Sequence, residues 1–297
     1  MSMESAYRVA EELLKDRLRN EAPDVLQELE DLHAADIIVT LGKYDHIERV
    51  FNLGGIPHTK VPPGAIDDAE LRPDQVIFVN CAGNFTPKGL RKLHAFVSEG
   101  GFLFTTDWAL KHVLEPAFPG FVEYNGQATS DAVVRVEVLS QDDPFLSSLL
   151  GPEDDPQWWL EGSSYPIRIL DRDKVQVLVT SKELEDQWGE APVFVTFPFG
   201  EGRIYHMISH FYLQRTETRT GRHKGSSYDF LAEKGVSEAE YSKYADLGAG
   251  QADLASVESA YASRSMLSRV LLEKKMQMKG SPERPKGGRE DDDSEIG

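Results

Sequence analysis

Residues 98–110 read SEGGFLFTTDWAL, and this stretch indicates the fold more directly than any other part of the chain. A glycine pair opens an unbroken apolar run, which ends in the polar residues Thr105, Thr106 and Asp107. Continuous apolar runs bounded by turn residues are typical of strands buried on both faces of a parallel sheet. Many α/β enzymes carry a catalytic nucleophile at such a strand-to-helix turn, so the stretch predicts both a fold and a candidate site.

Similar apolar runs occur upstream of this stretch. The segments DIIVTL (36–41) and QVIFVNC (75–81) alternate with helical patterns, and TPKGLRKLHAFVSEGG is the clearest of these patterns. Such alternation predicts parallel strands joined by helices, which is a doubly wound α/β layer. From residue 132 onward the strand patterns are joined by turns more than by helices, and we expect those strands to extend the same sheet.

Changes in pattern divide the chain into four segments. Apolar residues at helical spacing predict a helical N-terminal extension over 1–34, with Pro23 breaking it in two. The α/β domain follows over 35–215. A basic loop and a C-terminal helical extension occupy 216–278, with the helix expected over 252–276. The Pro-, Gly- and acid-rich segment 279–297 predicts a disordered acidic tail.

Composition excludes several classes of protein. The formal net charge is −18, from 50 acidic and 32 basic residues, which argues against binding to nucleic acid or to an anionic membrane. No apolar run approaches the roughly 20 residues of a membrane-spanning helix, so a cytoplasmic location is the default expectation. The single cysteine, Cys81, excludes an intrachain disulfide and a site of several thiolates. We expect neither a metal nor a cofactor.

Three segments carry a resemblance to a known family: IVTLGKYDHIERVFNLGGIPHTKV, DQVIFVNCAGNFTPKGLRKLHAFVSEGGFLFTTDWAL and PVFVTFPFGEGRIYHMISHF. Together they resemble the class I glutamine amidotransferase-like superfamily, in particular its divergent ThuA-like branch. The resemblance covers residues 35–215 and includes a late strand that reads Gly200, Gly202, Arg203 and ends at His210. It implies a flavodoxin-like, mostly parallel sheet with helices on both faces.

The active members of that superfamily carry a cysteine on the elbow after the strand that matches 102–106, and a histidine followed by a glutamate. The thiolate attacks an amide carbon while the imidazole accepts and donates the proton. In this chain the elbow reads TTDWA, and the residues after His210 are FYLQ. The elbow cysteine is absent, so we do not expect glutaminase activity.

The candidate catalytic residues are therefore Asp107, His210 and Cys81. Cys81 ends a strand, where it is either a nucleophilic thiol or a small apolar residue that caps the strand, and the second interpretation is favoured. His206 and His210 would lie about 13 Å apart in a continuous strand, which argues against a shared metal site. His210, at the end of its strand, is the better candidate.

Candidate ligand-binding residues lie at the carboxyl edge of the predicted sheet, where open α/β folds bind their ligands. They are Asn80, Gly83, Asn84, Thr106 and Trp108. Arg215 and Arg219, in the basic segment that follows, could bind an anionic group. Alternatively, these arginines pair with the many acidic residues of the protein.

Two functions remain open from the sequence. The favoured one is a catalytically degenerate module that binds a small polar or anionic ligand, or that scaffolds a protein partner through its terminal helices. The alternative is a hydrolase with a rebuilt site of Asp107 and His210, either alone or together with Cys81. The sequence does not determine the oligomeric state.

Overall fold

A computed structural model describes residues 3–139 and 143–280, without the side chains of residues 144 and 280. The helices are α1 (Met3–Glu21), α2 (Pro23–Glu30), α3 (Ile47–Gly54), α4 (Pro87–Ser98), α5 (Glu115–Ala117), α6 (Pro144–Leu149), α7 (Lys182–Trp188), α8 (Ser227–Glu233), α9 (Tyr241–Asp246) and α10 (Leu254–Gly280). The acidic tail predicted over 279–297 lies outside the described residues, except for its first two positions, which end α10.

The strands alternate with these helices along the first half of the chain and follow one another more closely in the second half. They are β1 (Ile37–Thr40), β2 (Thr59–Val61), β3 (Val76–Val79), β4 (Phe102–Thr106), β5 (Val122–Tyr124), β6 (Ala132–Arg135), β7 (Glu137–Val138), β8 (Gln157–Leu160), β9 (Ile167–Ile169), β10 (Gln176–Thr180), β11 (Pro192–Phe199) and β12 (Gly202–Met207).

The main sheet has eight strands in the order β2-β1-β3-β4-β12-β11-β10-β7. The pairings from β2 through β12 are parallel, and the pairings from β12 through β7 are antiparallel. The chain is thus an α/β protein, as predicted, but the prediction of a flavodoxin-like, doubly wound, mostly parallel sheet was wrong. The sheet is mixed, with a parallel half and an antiparallel half.

The mixed character has a local cause in the turn between β11 and β12. Only Gly200 and Glu201 separate the two strands, and so short a connection joins antiparallel neighbours only. Gly200 has φ +57°, and a Cβ atom at this position would lie 2.5 Å from the carbonyl oxygen of Ser98. A glycine is therefore required there by both conformation and space.

The terminal helices pack against each other and against the sheet. A buried ion pair between Glu11 and Arg264 links α1 to α10. The hydroxyl of Tyr205 in β12 donates to Glu273 of α10 at 2.6 Å. The helices α1 and α10 are consequently anchored to the same core as the sheet.

The sheet order determines where the ends of the strands meet. Strands β3, β4 and β12 are adjacent and parallel, so their carboxyl ends open on one edge of the sheet. No helix in the described ranges is long and apolar enough to cross a membrane.

Candidate functional site

Three predicted site residues converge at the carboxyl edge of the parallel half. Cys81 follows β3, Asp107 follows β4, and His210 lies three residues beyond β12. Asp107 Oδ2 lies 3.8 Å from Cys81 Sγ and 3.5 Å from His210 Nε2. All three residues are buried, with exposures of 1% for Cys81 and 3% for Asp107 and for His210. The structure therefore places a thiol, a carboxyl group and an imidazole in one cluster.

The backbone at Asp107 fixes the direction of its carboxyl group. Asp107 has φ +47°, a left-handed conformation that is uncommon for a residue other than glycine. Its amide N–H donates to the carbonyl of Met207 at 2.8 Å, and its Oδ1 accepts from the amide of Tyr165 at 3.0 Å. Burial raises the pKa of Asp107 to about 6, although contact with His210 opposes this shift.

The imidazole of His210 lies between two carboxyl groups. Its Nδ1 is 2.8 Å from Oε2 of Glu161, and its Nε2 faces Asp107. Burial lowers the pKa of His210, but the nearby acidic groups, Asp45 first among them, outweigh burial and raise the pKa well above its usual value. Burial also raises the pKa of the Cys81 thiol, so the thiol is protonated at neutral pH.

Thr106 joins the cluster to a second acidic residue, Asp45, which is 1% exposed. The Thr106 hydroxyl donates to Asp45 Oδ2 at 2.7 Å and accepts from the amide of Cys81 at 3.1 Å. Asp45 Oδ1 accepts from the amide of His46 at 2.7 Å. Thr106, a predicted ligand-binding residue, is thus buried and holds Asp45 and Cys81 in place.

Two acidic residues of the site, Asp45 and Glu161, were not predicted from the sequence. Asp45 lies in the GKYDH segment that follows β1, so the rule that parallel strands end on one edge could have found it. Glu161 follows β8, which pairs with β6 in a separate two-stranded sheet. No pattern in the sequence indicated that the loop after β8 reaches His210.

The other predicted residues on this edge have different surroundings. Asn80 accepts from the amide of Ile47 at 3.2 Å and donates to Glu48 at 3.0 Å, which ties the start of α3 to the end of β3. Gly83 has φ +71°, and a Cβ atom there would lie 2.7 Å from Val113, so backbone conformation and close packing together explain the glycine. Asn84 is exposed.

The arginines of the basic segment pair with acidic residues. Arg215 lies 2.7 Å from Asp131, and Arg219 lies 2.5 Å from Glu183 and 3.1 Å from Glu217. These contacts agree with the interpretation in which the arginines balance the acidic residues of the protein. A ligand-binding role for Arg215 and Arg219 stays a prediction.

A row of four aromatic rings lies beside the cluster, and we name it the aromatic row: Tyr44, Trp108, Tyr165 and Tyr124. Successive ring centroids are 5.3 Å, 5.7 Å and 4.0 Å apart. Trp108 directly follows Asp107 and donates its indole N–H to the carbonyl of Ser163 at 2.7 Å. Tyr44 is 37% exposed and the other three residues are partly buried, so the row is accessible from solvent.

No family model matches the chain, and no curated protein matches it. The structure is similar to the exo-beta-1,4-mannosidase Op5Man5 from Opitutaceae bacterium strain TAV5, with a TM-score of 0.40 and 13% identity. That similarity covers 74% of this chain and 36% of the mannosidase, so the chain spans about a third of its length.

Two further solved structures are similar to a comparable degree. Agd3, a carbohydrate deacetylase, has a TM-score of 0.41 and 13% identity, over 68% of this chain and 31% of that chain. Cytoplasmic protein STM3548 from Salmonella typhimurium has a TM-score of 0.42 and 11% identity, over 73% of this chain and 99% of that chain.

These comparisons correct the family resemblance inferred from the sequence. The similar structures include a mannosidase and a carbohydrate deacetylase rather than an amidotransferase of the ThuA-like branch, and no family model supports that branch. The assignment to the class I glutamine amidotransferase-like superfamily was wrong. With TM-scores of 0.40 to 0.42, these similarities do not assign an activity to the chain.

Proposed function

We propose that the protein is a hydrolase that uses Asp107 and His210 for proton transfer. The observation that carries the proposal is the buried contact of 3.5 Å between the Asp107 carboxyl group and the His210 imidazole, next to Glu161. A carboxyl group and an imidazole within reach of each other can serve as the base and the acid of general acid–base catalysis. A module that only binds a ligand has no need to bury such a pair, because burial of charged groups costs stability.

The protonation state of each group determines its role: Asp107 acts as the base and His210 as the acid. Near neutral pH the carboxylate of Asp107 accepts a proton from a water molecule, and the water oxygen attacks the carbonyl carbon of an acyl bond. The imidazolium of His210 donates its Nε2 proton to the leaving group as the bond to that group breaks. The products are an acid and a protonated leaving group, and proton transfer from Asp107 to His210 restores the starting state.

Glu161 and the aromatic row support this arrangement. The carboxylate of Glu161 beside Nδ1 stabilises the charged imidazolium, a role that an acidic residue takes in many histidine-dependent hydrolases. Trp108 stacks on Tyr165 next to Asp107, and the partly exposed edges of the aromatic row form an apolar surface on which part of the substrate can pack. The substrate we expect is an ester-type acyl compound with an apolar or ring-bearing portion.

The test is hydrolysis of a panel of p-nitrophenyl esters by the folded protein in the presence of a chelator. We expect the rate to rise as pH increases through about 6, because Asp107 must lose its proton to act as a base. Asp107→Asn should lower kcat/KM by about 10²-fold or more. Asp186→Asn, at an exposed carboxylate of α7, is the matched control and should leave the rate unchanged.

Two results would contradict the proposal. One is a folded protein that hydrolyses no ester in the panel. The other is hydrolysis that persists at the same rate in Asp107→Asn with the same pH profile. Circular dichroism and thermal melting of each variant confirm that any loss of activity is not a loss of folding.

A further inference from the structure

We propose that Cys81, Asp107 and His210 bind one divalent transition-metal ion of the zinc class. This site departs from the sequence-based expectation that the protein binds no metal. The inference also goes beyond the hydrolase proposal and does not rest on it, because ion binding is measured without any substrate.

The spacing of the three donor atoms suits a tetrahedral ion. Zinc binds sulfur at about 2.3 Å and nitrogen or oxygen at about 2.0–2.2 Å, so neighbouring donors in a tetrahedral site lie about 3.3–3.6 Å apart. The observed separations from Asp107 Oδ2 are 3.5 Å to His210 Nε2 and 3.8 Å to Cys81 Sγ. All three donor atoms lie within 4.8 Å of one another, so small side-chain adjustments complete the geometry.

The imidazole of His210 lacks hydrogen-bond partners in the described structure. The residue is 3% exposed, yet neither Nδ1 nor Nε2 makes a hydrogen bond of acceptable geometry. The 2.8 Å approach of Glu161 Oε2 to Nδ1 is close, but Oε2 also lacks a hydrogen-bond partner. Buried polar groups are normally satisfied, and the unpartnered Nε2 of His210, unlike that of His206, faces a carboxyl group and lies near a thiol, a donor set that suits an ion.

The surroundings of His210 match those of metal-binding histidines. Such a histidine usually donates its second ring N–H to a carboxylate, which fixes the orientation of the ring. With Nε2 on the ion, Nδ1 would donate to Glu161, and a slight rotation of the ring would satisfy both atoms. The nearby Asp45 is not needed as a ligand, because Thr106 and the amide of His46 already occupy its oxygens.

The ligand types select the class of ion. A thiolate is a soft ligand that favours zinc and its neighbours over magnesium or calcium, which prefer oxygen atoms alone. Three protein ligands leave a fourth position for water or a small ligand, as in catalytic rather than structural zinc sites.

Asp107 and His210 cannot bind the ion and transfer protons in the same molecule, so hydrolysis with and without the ion separates the two proposals.

The experiment is titration of the metal-free, reduced protein with Co²⁺, followed by competition with Zn²⁺. We expect one ion per chain, a near-ultraviolet charge-transfer band from thiolate to Co²⁺, and visible bands of tetrahedral intensity that Zn²⁺ abolishes. Cys81→Ser should remove the charge-transfer band, and His210→Gln should weaken binding by at least about 10²-fold. The matched control is His33→Gln, at an exposed histidine, which should leave affinity and spectrum unchanged.

The wild-type spectrum decides the matter even where a variant does not fold. Binding of Co²⁺ without a thiolate band would overturn the proposal, and so would weak binding at several sites. Equal affinities of the wild type and of folded His210→Gln would overturn it as well. Ester hydrolysis in chelator tests the hydrolase proposal alone, and the Co²⁺ titration tests the metal proposal alone, so the failure of one is distinguishable from the failure of the other.

Discussion

Two histidines four residues apart, His206 and His210, have opposite electrostatic environments although both are buried. His206 lies within β12, is 0% exposed, and has Nδ1 2.8 Å from the hydroxyl of Thr105. Its Nε2 has no hydrogen-bond partner in the described structure. Burial lowers the pKa of His206 to about 3, so its imidazole stays neutral at neutral pH.

His210 lies beyond the end of the same strand and is surrounded by acidic groups. Burial disfavours its charge as well, but the carboxyl groups of Asp45, Asp107 and Glu161 raise its pKa well above the usual value. The interior of a strand is flanked by its neighbours in the sheet, whereas the carboxyl edge receives loops from several strands. Charged side chains from distant segments therefore meet at the edge. A histidine there becomes protonated more readily than a histidine inside the strand.

The largest expected difference between the two histidines is in catalysis. His210→Gln should lower the rate of ester hydrolysis by about 10²–10⁴-fold, because glutamine cannot donate a proton to the leaving group. His206→Gln should keep the rate per folded molecule within a few-fold of the wild type. Steady-state kinetics in chelator measure the rates of both variants. An equal loss of rate in the two variants would show that the two histidines do not differ in catalysis.

A smaller effect is expected on stability in acid. The unfolded chain protonates a histidine near pH 6.5, whereas folded His206 remains neutral down to about pH 3, so the unfolded state binds more protons between these values. The contribution of His206 to stability should therefore fall as pH falls below 6.5, by about 2 kcal/mol from pH 7 to pH 5. Urea unfolding of the wild type and of His206→Gln at the two pH values isolates this contribution, because the raised pKa values of Asp107 and His210 shift stability the opposite way.

The matched variants identify the residue responsible for this acid sensitivity. His206→Gln should reduce the dependence on pH, whereas His210→Gln should not, because the raised pKa of His210 stabilises the folded state in acid. An unchanged pH dependence in His206→Gln would show that the His206 imidazole becomes protonated in the folded protein.

The smallest expected effect concerns Glu161, which is partly exposed and contacts only the Nδ1 side of His210. Glu161→Gln removes one of the carboxyl groups that favour the charged imidazole, so the pKa of His210 should fall while Asp45 and Asp107 keep it raised. NMR titration of the imidazole protons in the metal-free protein measures this shift. A fall to the usual histidine value would assign the whole effect to Glu161.

Part of the site could be predicted from local sequence patterns. Apolar runs before Cys81 and Asp107 indicated two buried parallel strands, and adjacent parallel strands end on the same edge. The proximity of these residues to His210 followed from that rule, whereas their roles in hydrolysis and metal binding remain proposals. Glu161 could not be predicted in this way, because its strand pairs outside the main sheet and its loop reaches His210 only through tertiary packing.

The sequence by itself determined the α/β class, because strand and helix periodicities are local properties that a few neighbouring residues express. It did not determine the mixed sheet, since β12 pairs with β4, and β10 with β7, across long stretches of the chain. The protonation of His206 and His210 was likewise decided by tertiary structure. Burial lowers the pKa of both imidazoles. The acidic groups that raise the pKa again surround His210, at the end of the strand, and not His206, so the two side chains differ in charge.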